Sequence, residues 1–201
     1  MRKRTVILAS ASKRRHSILS SCGIRHKVAV SNVKEHSCEK KGIIASVVIN
    51  ATAKAKKIAA GYKNAVIIGA DTLVLLNKKI VGKPRTANQA RRLLASLIGK
   101  KVSVYTGLCV IDTISGKISS GYEKSYVYVK KITLSDIARY LKVLGPHDKA
   151  GGFSIEGAGS LLFDNITGSY FNILGLPMER LSCLFRKVGL DILDFIDGGS
   201  F

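Results

Sequence analysis

The segment AVIIGADTLVLL, residues 65–76, constrains the fold of this chain more than any other. It is the longest apolar run, yet it falls short of the ~20 residues that span a bilayer, and a lone acid, Asp71, interrupts it. It reads as a strand. An unpaired carboxylate buried there would be expensive, so Asp71 needs a partner or a purpose. Strand alternation puts it on one face with Ile67, Gly69 and Leu73. Gly69 has no side chain and leaves room for another group to approach. Two readings stay open. Asp71 is structural, paired with a lysine or bonded to backbone amides, or it is a carboxylate that binds a divalent metal or activates water.

The flanking segments alternate between helical and extended patterns. Residues 5–9 read as a strand, and 12–22 as a helix capped by Ser10 or Ser12. RHKVAV is a second strand, followed by a polar connector. An alanine-rich helix covers 43–60, with Ile44, Val48, Ala51, Ala55, Ile58 and Tyr62 along one face and Gly61 as its stop. After the long strand, NK makes a tight turn and KIVGKP returns. A helix then runs from after Pro84 to Gly99, and strands 101–114 and 117–130 flank an SG hairpin. TLSDIARYLKVLG is a helix capped by Thr133 or Ser135. The glycine-rich PHDKAGGFSIEGAGSLLF leads into a strand, and LPMERLSCLFRKVG is a last amphipathic helix with Pro177 near its first turn. The pattern predicts an α/β protein with a mixed sheet and flanking helices. With 46% hydrophobic residues over 201 positions, it is one globular domain or two small lobes.

Several function classes lose weight. The start, MRKRTVILASA, imitates a secretory leader, but its apolar stretch is too short, and a cytoplasmic protein is expected. Cys22, Cys38, Cys109 and Cys183 lie far apart and form no C-x-x-C. His16, His26, His36 and His147 lack ligand spacing, so a zinc site is not expected. Neither a dinucleotide fingerprint nor a P-loop is present. The net charge is +20, which favours polyanions. The lysines are spread in pairs such as Lys100-Lys101 and Lys130-Lys131, without an aromatic-interleaved motif, so nucleic acid is not expected as the principal ligand.

LASASKRRHSIL, residues 8–19, opens a helix with Lys13, Arg14 and Arg15 at the positive end of the helix dipole, which disfavours cations. Either a solvated turn tolerates this, or Ser10, Ser12 and the arginines await an anion. Lys83, in VGKP, sits near Asp71 if the hairpin pairs; otherwise it is a solvated turn lysine. Lys54 borders the apolar face of its helix, where lysines commonly snorkel. Glu35 stands in the polar connector. Glu156 follows glycines that permit close backbone approach to a ligand. Together these residues supply an anion cradle, a carboxylate and lysines to offset phosphate charge.

The stretches LASASKRR, IIGADTLV, VGKP, DKAGGFSIEG and GSYFNILGLPMERL occur in the order found in the Maf family of nucleoside triphosphate pyrophosphatases, which the chain resembles from residue 6 to about 188. The resemblance implies an ITPase-like fold, a twisted mixed sheet with two lobes around a central cleft. It also implies attack of water on a nucleoside triphosphate to give the monophosphate and pyrophosphate, with Mg2+ or Mn2+ required. Asp71 matches the family's proton acceptor, and with Glu35 would hold the metal. Ser10, Ser12, Arg14 and Arg15 would grip the triphosphate, while Lys54 and Lys83 match phosphate-side lysines. Specificity positions fall on Arg14, Thr72 and Glu156. Lys13 replaces the usual proline. Arg14 and Thr72 match the branch acting on dTTP and UTP, which is the expected substrate class. Glu156 instead matches the branch preferring 7-methyl-GTP, the alternative. Members are often dimers, so a homodimer is expected; the family was also linked to septum formation, and the rival reading is a nucleic-acid-binding or septum-associated regulator without turnover.

Overall fold

The computed structural model describes residues 4–35, 42–144 and 155–197. Its sheet has seven strands, six of them in the order β2-β1-β3-β5-β6-β7, with β4 paired to β3. Strands β1 (Thr5–Leu8), β2 (His26–Val28) and β3 (Ala65–Leu76) pair in parallel, β1 lying between the other two. β4 (Lys79–Ile80) pairs antiparallel with the end of β3, so the sheet is mixed. The chain divides into two compact units, residues 1–71, 106–123 and 175–201, and residues 72–105 and 124–174. β3, β5 (Lys101–Asp112) and β6 (Ile118–Val129) contribute residues to both.

In the first unit, helix α1 (Lys13–Ser21) links β1 to β2, and α2 (Ile43–Ala59) precedes β3. The face of α2 that packs on the sheet keeps Ala51, Ala55 and Ile58 of the expected stripe but not its ends. Val47, Ala51 and Ala55 are fully buried, whereas Ile44 is 42% and Tyr62 38% exposed. The cause is close approach. A Cβ on Gly69 would lie 2.1 Å from the Ala51 carbonyl oxygen, and one on Gly107 would lie 2.2 Å from that of Val47. Two strand glycines and a small-residue helix face let the α2 backbone sit directly on the sheet, and larger side chains are turned away. Ile7, Ile67, Cys109 and Ile111 complete that core. Helix α6 (Met178–Lys187) buries Leu181, Leu184 and Phe185.

The second unit packs Val74, Val102, Val104, Val127 and Val129 against Leu97 of α3 (Ala87–Leu97). Thr86 caps α3 by accepting from the Gln89 amide, and Gly99 takes φ +66° just beyond its end. Asn77 and Lys78 form the β3–β4 turn at φ +48° and +66°, which suits Asn and strains Lys. The return strand is shorter than KIVGKP suggests: it ends at Ile80, with one more backbone bond from the Val81 amide to the Val74 carbonyl at 2.7 Å. Helix α4 (Leu134–Leu144) opens with a reciprocal cap. The Asp136 amide donates to Thr133 Oγ1 at 3.3 Å, and the Thr133 amide donates to Asp136 Oδ2 at 3.1 Å. The glycine-rich segment through residue 154 lies outside the described residues. Beyond it a 3-10 helix (Gly157–Leu162), strand β7 (Phe163–Thr167) and helix α5 (Tyr170–Leu174) follow. The two helical pieces were not legible in the sequence, being too short for a period to show. No helix among the described residues is long and apolar enough to cross a membrane.

Candidate active site

The corner between β1 and α1 is built from its own short polar side chains. Ser12 is the N-cap, with its Oγ accepting from the Arg15 amide at 3.4 Å. Ser10, 8% exposed, turns its Oγ inward and accepts from the Ser12 amide at 3.2 Å and from Arg15 Nη1 at 3.0 Å. The same Arg15 nitrogen donates to the Ala70 carbonyl at 2.9 Å, and Nε donates to the Gly175 carbonyl at 2.8 Å. Arg15 thus ties the exit of β1 to the middle of β3 and to the turn before α6. Desolvation pulls its guanidinium below the ordinary value, against the raising charges of Asp71 and Glu35; guanidinium stays charged regardless. Arg14 is half-buried beside it, the next side chain along the same helix start.

Asp71 is the last residue of the first unit and is 5% exposed. Each oxygen has a donor from α2. Asn50 Nδ2 donates to Oδ2 at 3.1 Å, and Lys54 Nζ donates to Oδ1 at 2.7 Å. Asn50 and Lys54 stand one turn apart, and Gly69, two residues before Asp71 on β3, lets that turn come close. Lys54 also donates to Glu35 Oε1 at 2.5 Å, so one ammonium serves two carboxylates. Partial burial works against ionisation of Glu35, but the hydrogen bond and charge of Lys54, with the charge of Arg15, hold its carboxyl below the ordinary range. Glu35 faces outward, with its side chain 57% exposed, against 13% for Lys54 and 7% for Asp71. The three form a graded path from solvent to a buried acid. Asn50, 3% exposed, is the member that the sequence reading missed; its signal was the N-x-x-x-K spacing that stacks it on Lys54.

The other expected residues belong to the second unit. Thr72 follows Asp71 and is half-buried. Lys83 is exposed in the extended segment after β4, and Glu156 is exposed at the start of the 3-10 helix. The structure therefore gathers Ser10, Ser12, Arg14 and Arg15 at one corner of the first unit, and Glu35, Asn50, Lys54 and Asp71 in a hydrogen-bonded cluster of that unit. Among the described residues no group of three or more His, Cys, Asp or Glu could hold a metal. Asp71 and Glu35 are instead a two-carboxylate oxygen set. That donor set is the hard-oxygen type that would suit Mg2+ or Mn2+ rather than a soft metal.

A protein-family model described as Maf-like protein matches residues 5–188. A dTTP/UTP pyrophosphatase of Dictyoglomus thermophilum is 40% identical over 192 residues, covering 95% of this chain and 100% of its own. A dTTP/UTP pyrophosphatase of Methanococcoides burtonii is 38% identical, covering 95% of this chain and 98% of its own. One of Caldicellulosiruptor bescii, with the same name, is also 38% identical, over 94% of this chain and 96% of its own.

Proposed function

Because the chain belongs to the Maf-like protein family, we propose that it hydrolyses a pyrimidine nucleoside triphosphate, dTTP or UTP, to the monophosphate and pyrophosphate. The observation that carries this reading is the buried Asp71, held on both oxygens by Asn50 and Lys54. A carboxylate fixed in this way is aimed and still has lone pairs to spare, as a proton acceptor for water requires. Lys54, bonded to both Asp71 and Glu35, stays a fixed positive charge beside the site as the water's proton passes to Asp71. We assign to Arg14, half-buried at the helix start, the charge-assisted contact to the triphosphate, with Lys83 as a further phosphate contact. Ser10 and Ser12 hold the corner's shape.

A triphosphate brings more negative charge than these side chains offset. Asp71 and Glu35 would hold Mg2+ or Mn2+, and the ion would supply neutralisation of the developing charge. Thr72 and Arg14 suit the pyrimidine branch, and the names of the relatives favour it. Glu156 favours a second reading, 7-methyl-GTP, since an ionised carboxylate accepts from a base N–H edge that guanine also offers. Cytoplasmic placement and a homodimer accompany the proposal. The test is pyrophosphate release from dTTP, UTP, 7-methyl-GTP and dCTP, with Mg2+, with Mn2+ and with EDTA. Fastest release from dTTP and UTP, lost with EDTA, is expected. Preference for 7-methyl-GTP would move the chain to the other branch, and no release from any of them would sink the hydrolase.

A further inference from the structure

The second unit carries a cluster that the pyrophosphatase reading leaves unused. Lys101, at the start of β5, places its ammonium 4.0 Å from the ring centroid of Tyr126 and 5.8 Å from that of Tyr128, both on β6. Lys124, also on β6, lies 4.8 Å from the ring of Tyr126 and 5.2 Å from that of Tyr105. Residues 124, 126 and 128 alternate with the buried Ser125, Val127 and Val129, so they share the opposite face of their strand. On β7, Thr167 and Asn165 stand opposite Tyr126 and Tyr128, both small and polar. Beside Tyr128 a hollow of about 440 Å3 is lined by Lys100, Lys101, Lys130 and Lys131, with the acid Asp164 at its edge.

The lysine pairs that look scattered in the sequence are brought together here by strand pairing, with tyrosine rings between them. Lys101 is set against rings, which orient its charge without cancelling it. Flat rings on a sheet, spaced two residues apart and edged by ammonium groups, match unpaired bases on a negatively charged backbone. A duplex hides its base faces within the stack, and an acidic peptide has no use for the rings. We propose that this face binds single-stranded nucleic acid, with bases against Tyr126 and Tyr128 and the backbone phosphates over Lys101, Lys130 and Lys131. The proposal is independent of the triphosphate reading.

The test is fluorescence anisotropy of the full chain with a labelled oligothymidylate of about 16 nucleotides, a length within one open-sheet site. Binding is expected, with log affinity falling against log salt at a slope of about −2, the value for about three phosphates on a single strand. Lys101→Ala/Tyr126→Ala should weaken binding about tenfold or more. Lys56→Ala/Tyr62→Ala, which removes one lysine and one tyrosine from the first unit, should change it less than about twofold, the size of a lost surface charge. Both variants should keep the parent's melting temperature and its turnover of dTTP. Equal weakening by the two variants, equal affinity for the duplex, or equal competition by polyglutamate would reduce the effect to net charge and overturn the proposal. Loss of dTTP turnover in Lys101→Ala/Tyr126→Ala would assign the face to the triphosphate site and overturn it too.

Discussion

The first unit buries two aspartates, and their surroundings differ. Asp112, at the end of β5 and 1% exposed, is saturated. Arg4 donates to both of its oxygens at 2.9 and 3.2 Å, and the amides of Ile114 and Ser115 and the Ser115 hydroxyl fill the rest. Asp71, 5% exposed, takes one donor on each oxygen, and its cation is shared with Glu35. A carboxylate has about four lone-pair sites. Asp112 has spent them on holding a hairpin turn. Asp71 keeps lone pairs in reserve, and what it lacks in protein donors a water or a cation can supply. Burial alone therefore does not tell the two acids apart; their hydrogen bonding does.

The contrast breaks most visibly by truncation. Asp112→Ala leaves Arg4, 17% exposed, without its carboxylate, and should cost about 3–5 kcal/mol, the toll of stranding one member of a buried pair. Asp71→Ala leaves Lys54 bound to Glu35, so its cost should be about 1–3 kcal/mol. Urea melts of the two variants check this ordering, and equal losses would erase the distinction.

Arg14 sharpens the functional side. Arg14→Ala should raise the Michaelis constant for dTTP by the about 1.5–3 kcal/mol of a charge-assisted contact, with little change in melting temperature. Steady-state kinetics decide it, and an unchanged constant would remove Arg14 from the cradle. Gly69→Ala acts through position. Its methyl would meet the Ala51 carbonyl at 2.1 Å and push α2, with Asn50 and Lys54, off Asp71. A loss of about 1–3 kcal/mol from overpacking is expected, together with a fall in kcat. Full turnover in a destabilised variant would show that the α2 donors are dispensable.

The smallest effect is on pH. For Asp112, burial opposes ionisation, but Arg4, Ser115 and the Ile114 amide hold its carboxyl below the ordinary 3.8, and Glu35 lies below its ordinary 4.5. Carboxyls lowered in the folded state stabilise fully above their unfolded values and lose that contribution as pH falls through the folded ones. Thermal melts should therefore hold steady above about pH 5 and fall below about pH 4. Asp112→Asn should flatten that fall, and an unaltered fall would show that Asp112 does not drive it.

Much of this was legible in advance, for identifiable reasons. The long strand at 65–76, the Ser12 cap, the Thr86 start of α3 and the hairpin after residue 112 are local signals, and local signals survive folding. Asp71 announced itself by breaking an apolar run. The buried face of α2 was legible at Ala51 and Ala55 but not at its ends, because Gly69 and Gly107, distant in sequence, set where the helix backbone meets the sheet. The bracing bonds of Arg15 were hidden for the same reason. Adjacent arginines look equivalent until Ala70 and Gly175 present their carbonyls to one of them. The lysine–tyrosine face was also invisible, because it exists only once β5, β6 and β7 are in register.

The most direct test is pyrophosphate release from dTTP by Asp71→Asn beside the parent chain, at equal melting temperature. Asparagine keeps the shape and a hydrogen-bonding oxygen for Lys54 but cannot accept the water's proton. A loss of about 100-fold to 10,000-fold is expected, the range of a positioned general base. Turnover within a factor of about 2 of the parent, against the far larger loss a general base implies, would contradict the assignment of Asp71 as proton acceptor.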